Sequence, residues 1–436
     1  MKKTFPLGGI HPAEHKKGSR EITLQELPMV ATLPLSQHIG APARPTVERG
    51  AHVDRGDLIA DTGSFVSARL HAPISGTVAA IDNIVMPDGR PAKAITIKAT
   101  AEEHVSDSEL RRGYWAGIGD CAAVPEGLSA EDVRQAISSA GIVGLGGATF
   151  PAHVKAATPA GAAEVLIING CECEPYLTCD DALMRTYPRQ TVGGVELLML
   201  ATGAPRAVIA IEDNKPEAIA AIKAAAETAR GVEVTVLRTK YPQGGEKQLI
   251  AAVTGRRPAS GALPLSVGAV VNNVATAFAV WQAVARNMPL IERIVTVTGD
   301  IAPEQQRNYM VALGTPLSEL PFTLPDDCRA IVGGPMMGRT AVRLDASVCK
   351  GTSGLLLLEN RLRRPEQACV RCGRCVDVCP MGLEPYLLSV YGRLRRWEEA
   401  RQSAVADCIE CGSCSYICPS SRPLLDYIRI AKQRSK

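Results

Sequence analysis

Aromatic residues are scarce: 5 Phe, 3 Trp and 9 Tyr make up 4% of 436 residues. Proteins that hold single-stranded nucleic acid stack bases on aromatic rings, and little here could serve as a platform. A charge excess is also missing. Lys and Arg total 48 against 45 Asp and Glu, a net charge of +3, which is no footprint for a polyanion. Nucleic acid is therefore not expected as a partner. The charge-free stretch Ser260–Ala285 contains Pro264, several Gly, Asn272, Asn273 and Gln282. A spanning helix needs about 20 predominantly apolar residues, so no transmembrane helix is expected. The opening MKKTFPLGGIHP has two lysines but no apolar run before Gly8, Gly9 and Pro12, and no signal peptide is expected. The body of the protein is expected to be soluble and cytoplasmic.

What is present points to several packed domains. Apolar residues at 46% and charged residues at 21% support large cores and exclude wholesale disorder. At roughly 150 residues per domain the length suggests about three domains. Residues 1–30 are basic and irregular around GGIHPAEHKKGSR. Residues 31–110 carry short strand patterns with Gly and Asp-Gly punctuation, as in VERGAHVDRGDLIADTG and LHAPISGTVAAI. These phrases resemble the barrel-sandwich fold of biotinyl and lipoyl carrier domains. The modified lysine of those carriers has no counterpart between Leu58 and His71, so a structural or docking role is expected.

An α/β domain is expected over residues 125–287. It begins with a helix at Ser129–Ala140, capped by Ser129 with Asp132 three residues on. AEVLIING (Ala163–Gly170) reads as a buried strand. RAVIAIED, an Ala-rich helix and VEVTVLR form a βαβ unit, which pairs parallel strands through a helical crossover. Residues 288–350 look β-rich again, and residues 362–430 shift to Cys, Arg and helix formers. The fold class is multidomain α/β plus β.

Eight of the 14 cysteines form two runs. Cys369, Cys372, Cys375 and Cys379-Pro380 are followed by Cys408, Cys411, Cys414 and Cys418-Pro419. Two-residue gaps let a tight loop wrap three corners of a cubane, and the fourth Cys of each run ligates the other cluster in two-cluster ferredoxins. One [4Fe-4S] cluster is thus expected on Cys369, Cys372, Cys375 and Cys418, the other on Cys379, Cys408, Cys411 and Cys414. Zinc knuckles are the competing reading, but their ligands come in separated pairs, often with His, and none of the 7 histidines falls here. The long helical insert between the runs suggests an α-helical ferredoxin. Cys171, Cys173 and Cys179 fit no familiar metal spacing and read as buried or cofactor-proximal thiols, while Cys121, Cys328 and Cys349 look structural. The basic stretch Arg393–Arg396 reads as a solvated helix face or a contact between subunits.

A glycine loop, Gly141-Ile-Val-Gly-Leu-Gly-Gly-Ala-Thr-Phe-Pro151, precedes the first α/β strand. It is not a dinucleotide fingerprint, because Thr149 stands where the last glycine belongs and the loop follows a helix. Its backbone N–H groups can still close around a phosphate, with Lys155 adding charge. NGCECEP follows that strand, KYPQGGEK follows a later one, and VNNVAT sets two amides and a hydroxyl in an apolar setting. Each of these could merely tie loops together.

The ordered set GIVGLGGATFPAHVK, NGCECEPY, KYPQGGEKQL and VNNVAT resembles the flavin-carrying subunit of respiratory complex I. With PLGGIHPAEHK, IEDNKPEAI, GGPMMG and the double cysteine run, the chain more closely resembles the C subunit of the ion-translocating Rnf (Rsx) electron-transport complex. The resemblance implies FMN and NADH in a Rossmann-like α/β domain, a soluble-ligand-binding β-grasp domain at 288–350, and two [4Fe-4S] clusters. It implies a peripheral protein on the cytoplasmic face of the bacterial inner membrane, working with the other Rnf subunits and a ferredoxin-like iron–sulfur subunit. It carries Gly144, Gly146, Gly147 and Lys155 to the flavin-phosphate loop. Asn169 and Glu174 fall at the strand-end loop where flavin and nicotinamide meet, Gly244 and Glu246 on the next loop, and Asn272, Asn273 and Thr276 near the flavin. Leu145, Cys171 and Gly245 replace an arginine, an acidic residue and a glutamate usual in complex I. No catalytic side chain is expected, since hydride transfer needs no general acid or base. Two alternatives stay open: a free-standing NADH-dependent reductase like the cobalamin reductases, and a flavin-less electron carrier.

Overall fold

The computed structural model describes residues 2–119, 123–360 and 365–435. Cys121 lies outside the described residues. In the first domain, strands Val30–Pro34, Pro91–Lys98, Gly76–Val85 and His52–Val53 form one antiparallel sheet, and Arg44–Pro45, Leu58–Asp61 and Leu70–His71 another. Alternation puts Leu33, Ile95, Ile97, Ile59 and Leu70 in one shared core. The expected boundary at residue 110 falls inside a helix. That helix, Ala101–Gly117, starts from a Thr100 and Glu103 capping box and continues beyond that boundary.

The α/β domain has a parallel sheet in the order Val232–Leu237, Ala207–Glu212, Val165–Gly170, Ala269–Asn273. Both faces of strand Val165–Gly170 are covered. Leu166 and Ile168 point into a core with helices Pro188–Thr202 and Val274–Arg286, whereas Val165 and Ile167 meet Leu249, Ile250 and Phe5 on the other side. That explains why its sequence is a continuous apolar run rather than an alternating one.

The third sheet has six strands and mixed directions: Ile22–Leu24, Arg307–Ala312, Glu292–Gly299, Gly354–Glu359, Cys328–Val332 and Arg339–Thr340. It therefore outgrows the expected span on both sides. One edge strand comes from the segment that reads as irregular, because three residues are too few to display alternation. An inner strand, Gly354–Glu359, lies past residue 350. Its GLLLLE run is buried over four residues and has no period-two signature.

The last domain is built from short helices, including Pro385–Arg393, Trp397–Gln402 and Leu424–Arg434. The insert between the cysteine runs is helical but broken, with Arg395 at φ 57°. Residues 3–19 form a strap. Lys3 bridges Leu237 at the sheet edge, Ile10 pairs with Tyr241, Gly9 N donates to Val378 O at 2.9 Å, and Ser19 N donates to Gln306 O at 2.9 Å. The strap thus touches the α/β domain, the cysteine-rich domain and the third sheet in turn.

Candidate functional site

Chain order reverses between strands Val165–Gly170 and Ala269–Asn273, which lie side by side with Asn169 opposite Asn273. Open α/β sheets bind ligands beyond the carboxyl ends of their strands at such a switch point. The sequence places NGCECEP and VNNVAT at these two ends, and the structure brings the glycine loop to them. Leu145 N donates to Thr276 Oγ1 at 2.9 Å. Gly144 N bonds Phe150 O at 2.8 Å and Thr149 N bonds Gly144 O at 3.1 Å, closing the loop on itself. A Cβ on Gly146 would lie 3.4 Å from the Cβ of Asn273. Thr149, at the position where a dinucleotide fingerprint has glycine, takes φ 50°.

Between those closing bonds, Gly146, Gly147 and Ala148 are exposed. Among the described residues their N–H groups have no acceptor in the protein. Such a run of free donors is an anion-receptive concavity. Lys155 stands nearby on the short helix Ala152–Ala156, its Nζ 2.8 Å from Glu246 Oε1 and 3.1 Å from Val271 O. Asn169 Nδ2 donates to Gly244 O at 2.9 Å, which joins the two sheet-end loops.

The two adjacent asparagines point to opposite faces of their strand and differ sharply. Asn273 caps helix Val274–Arg286 through Oδ1 to Ala275 N at 2.8 Å, and its Nδ2 reaches Asp180 Oδ2 at 2.7 Å. Asn272 is 4% exposed, yet neither its Oδ1 nor its Nδ2 has a partner. Leaving a buried amide unpaired costs on the order of 1–3 kcal/mol, so it suits a polar ligand. A phosphorylated cofactor with hydrogen-bonding edges fits both the free N–H groups and this amide.

Glu174 has both carboxylate oxygens engaged within the protein. Its Oε2 accepts from Met336 N at 3.0 Å, its Oε1 lies 3.4 Å from the Tyr241 hydroxyl oxygen, and burial pushes the carboxyl up to about 7. Tyr241 OH also lies 2.8 Å from Cys411 O, to which it donates. Tyr241 therefore forms a seam between the α/β domain and the cysteine-rich domain, and Glu174 ties that seam to the third sheet's loop at Met336.

The cysteines sort into two groups. Cys379 lies within electrostatic reach of Cys408, Cys411 and Cys414. These four line one apolar cavity with Leu383, Leu388 and Ile428. Leu383 N and Glu410 N approach Cys379 Sγ and Cys408 Sγ at 3.4 Å each. Burial raises the Cys408 thiol to about 11 and Cys414 to about 12. Free thiolates are thus disfavoured there, and a metal would be what keeps them deprotonated. Cys375 has Cys369 and Cys418 as electrostatic neighbours. Cys369 and Cys372 are exposed, whereas Cys379, Cys411 and Cys414 of the first group are buried. The donor sets and the N–H groups aimed at sulfur fit iron–sulfur clusters.

The three scattered thiols do not converge. Cys171 Sγ approaches Ala210 O at 3.7 Å and Cys173 Sγ approaches Gly244 N at 3.4 Å. Cys179 instead sits with Glu172 and Asp180. Several site residues leave no mark in the sequence. Lys16 Nζ and Lys215 Nζ hold the carbonyls of Glu172 (2.5 Å) and Cys171 (2.6 Å), and the Glu172 carboxylate caps the next helix through Asp180 N at 2.7 Å. Lys16 lies inside the PLGGIHPAEHK motif, but nothing in that motif says which carbonyl it holds.

A switch-point cradle for a phosphorylated cofactor, joined by a buried seam to the Cys379 group, fits an electron-transfer protein that pairs such a cofactor with iron–sulfur clusters. Family models match the chain as an RnfC barrel sandwich hybrid domain at residues 3–102, a Nuo51 FMN-binding domain at 137–282 and a 4Fe-4S dicluster domain at 361–419. The chain is 41% identical to the C subunit of the proton-translocating ferredoxin:NAD(+) oxidoreductase complex of Clostridium ljungdahlii, over 100% of this chain and 95% of that one. It is 39% identical to the C subunit of the Na(+)-translocating ferredoxin:NAD(+) oxidoreductase complex of Acetobacterium woodii, over 98% and 96%. Among solved structures, an NAD+-reducing [NiFe]-hydrogenase shares the fold, with a TM-score of 0.51 at 21% identity over 73% of this chain and 64% of that one. The chain belongs to the RnfC family, the C subunits of ion-translocating ferredoxin:NAD(+) oxidoreductase complexes. Its cofactors are FMN and two [4Fe-4S] clusters. Among the described residues no helix is long and apolar enough to cross a membrane.

Proposed function

We propose that this chain is the NADH-facing electron module of a membrane-bound Rnf complex, peripheral to the cytoplasmic face of the inner membrane. It exchanges electrons with a ferredoxin-like iron–sulfur subunit. The observation that carries the reading is the row of free N–H groups in the glycine loop at the switch point, with the loop held to Thr276 and Lys155 anchored on Val271 O, while the adjoining strand-end loop carries the Tyr241 seam to Cys411. FMN, when bound, supplies the exchange between a two-electron hydride and the single electrons that clusters carry.

The residues divide the work. Gly144, Gly146, Gly147 and Lys155 hold the flavin phosphate, and Glu246 fixes the Lys155 ammonium. Asn272 pairs with the flavin, while Asn273 and Thr276 hold the loops around it. Asn169, Gly244 and Glu174 border the nicotinamide. The quartet Cys379, Cys408, Cys411 and Cys414 lies next to the seam, and the quartet Cys369, Cys372, Cys375 and Cys418 faces outward toward the partner. The six-stranded sheet is the soluble-ligand-binding β-grasp unit. A barrel-sandwich match from residue 3 favours this reading over a free-standing reductase.

An anaerobic NADH titration of the reconstituted protein, followed by visible absorption, tests it. Bleaching of flavin and cluster bands together is expected. Clusters that answer to dithionite but not to NADH, with no flavin bound, would leave only an electron relay.

A further inference from the structure

The glycine loop has a back as well as a front. Behind it lie two cations, Arg293 at 4% and Lys350 at 0% exposure. Arg293 Nη2 donates to Leu145 O at 2.9 Å, and its Nη1 donates to Lys350 O. Lys350 Nζ donates to Gly141 O and to Arg69 O, each at 2.6 Å. The next residue in that turn, Gly351, packs so close to Thr149 that a Cβ there would lie 2.8 Å from its Cγ2. The turn thus backs the loop near Gly141 and Thr149, and Arg293 grips its middle. Among the described residues neither cation forms an ion pair. Asp180 attracts Arg293 from a distance while bonded to Asn273. Burying a cation on carbonyls alone is costly, and both cations come from the third sheet's domain rather than from the domain that owns the loop.

Peptide geometry gives the arrangement its meaning. In a trans peptide the carbonyl and the following N–H point in opposite directions. When Arg293 draws the Leu145 carbonyl backward, it turns the Gly146 N–H forward, where the donors of Gly147 and Ala148 are also free. We propose that Arg293 is a positioning residue, braced by Lys350, that sets the glycine loop to receive a phosphate and so makes the site select FMN over riboflavin. This rests on the reading that the loop holds the flavin phosphate. The third sheet therefore reaches into flavin recognition without touching the flavin.

The test compares FMN and riboflavin binding to the flavin-depleted, cluster-loaded full chain by fluorescence quenching. Arg293→Met is expected to weaken FMN by about tenfold or more, the loss of a charge-assisted bond, and to leave riboflavin within about threefold. Arg293→Lys keeps a donor and should give an intermediate FMN-to-riboflavin ratio. A merely structural role would weaken both ligands alike. A wild-type ratio in Arg293→Met overturns the proposal, whether both affinities hold or both fall together. If Arg293→Met fails to fold, a wild-type ratio in Arg293→Lys overturns it equally. A wild-type protein that binds riboflavin as tightly as FMN would instead refute the phosphate-loop reading on which the proposal rests.

Discussion

Gly8 offers a sharp test of how the strap holds the cysteine-rich domain. At φ +62°, a Cβ built on Gly8 would stand 2.5 Å from Cys379 O, 2.6 Å from Cys379 C and 2.7 Å from Val378 O. These are backbone atoms that no rotamer change can move aside. Gly63 makes a natural control, with φ +66° and nothing within 4 Å. Alanine at either position incurs the left-handed backbone penalty of about 1–2 kcal/mol. Only Gly8→Ala adds overpacking, about 1–3 kcal/mol. The difference between the two variants should therefore be about 1–3 kcal/mol, and it should appear locally, as opening of the strap from Val378 and Cys379. Limited trypsin cleavage after Lys3 and Lys17 reads that opening. When reclosing outpaces cleavage, the rate follows the open population, so Gly8→Ala should be cut about 5- to 150-fold faster than Gly63→Ala. Iron should also be lost first from the Cys379 group. Equal cleavage rates in the two variants would refute the close approach of strap and cluster loop.

Other expectations follow from the site. Lys155→Ala should lower FMN affinity by about 10- to 100-fold, as loss of a charge-assisted bond implies, and leave the iron content unchanged; equal loss of flavin and iron would sink the assignment. Asn272→Leu should stabilise the flavin-free protein by about 1–3 kcal/mol, because the orphaned amide disappears, while weakening FMN binding in titration. Glu174 holds its proton to about pH 7 rather than 4.5 in the folded state, so the folded form binds more protons between those values. Stability should fall as pH rises through that window, on the order of 3 kcal/mol for this group, and denaturation of Glu174→Gln should show a flatter profile. Cys418→Ala should abolish the electron paramagnetic resonance signal of the cluster on Cys369, Cys372 and Cys375 and spare the other; loss of the Cys408 group's signal instead would reverse the ligand assignment.

The sequence is most legible where chemistry fixes spacing. Cysteine runs carry their spacing in the chain itself, so two candidate quartets can be proposed from it, and the structure lines one cavity with Cys379, Cys408, Cys411 and Cys414. The glycine loop and the strand-end motifs are also visible, because tight turns and polar residues after apolar strands leave local marks. What escapes is set by distant partners. Ile22–Leu24 is a strand only because Arg307–Ala312 lies alongside it. Arg293 and Lys350 look like ordinary cations within strand and loop patterns, and nothing nearby in sequence says that they reach Leu145 and Gly141. Asn272 and Asn273 read as a pair, and only the pleat separates the helix cap from the unpaired amide.

The strap also constrains the order in which the protein can be completed. Gly9 is made long before its partner Val378. At about 5–20 residues per second the wait is roughly 20–70 seconds. Until then Phe5 and Ile10, buried in the finished protein at 2% and 5% exposure, can meet only part of their surroundings. The sheet edge at Leu237 and the backbone of Tyr241 become available well before Val378 does. The growing chain can therefore seat the strap on the flavin domain first, leaving Gly8 and Gly9 as a waiting template for the Cys379 turn. Closure of that turn, rather than folding of the flavin domain, then becomes the final step of assembly. A maturation defect in iron delivery would accumulate a chain whose flavin domain is formed and whose strap is only half engaged.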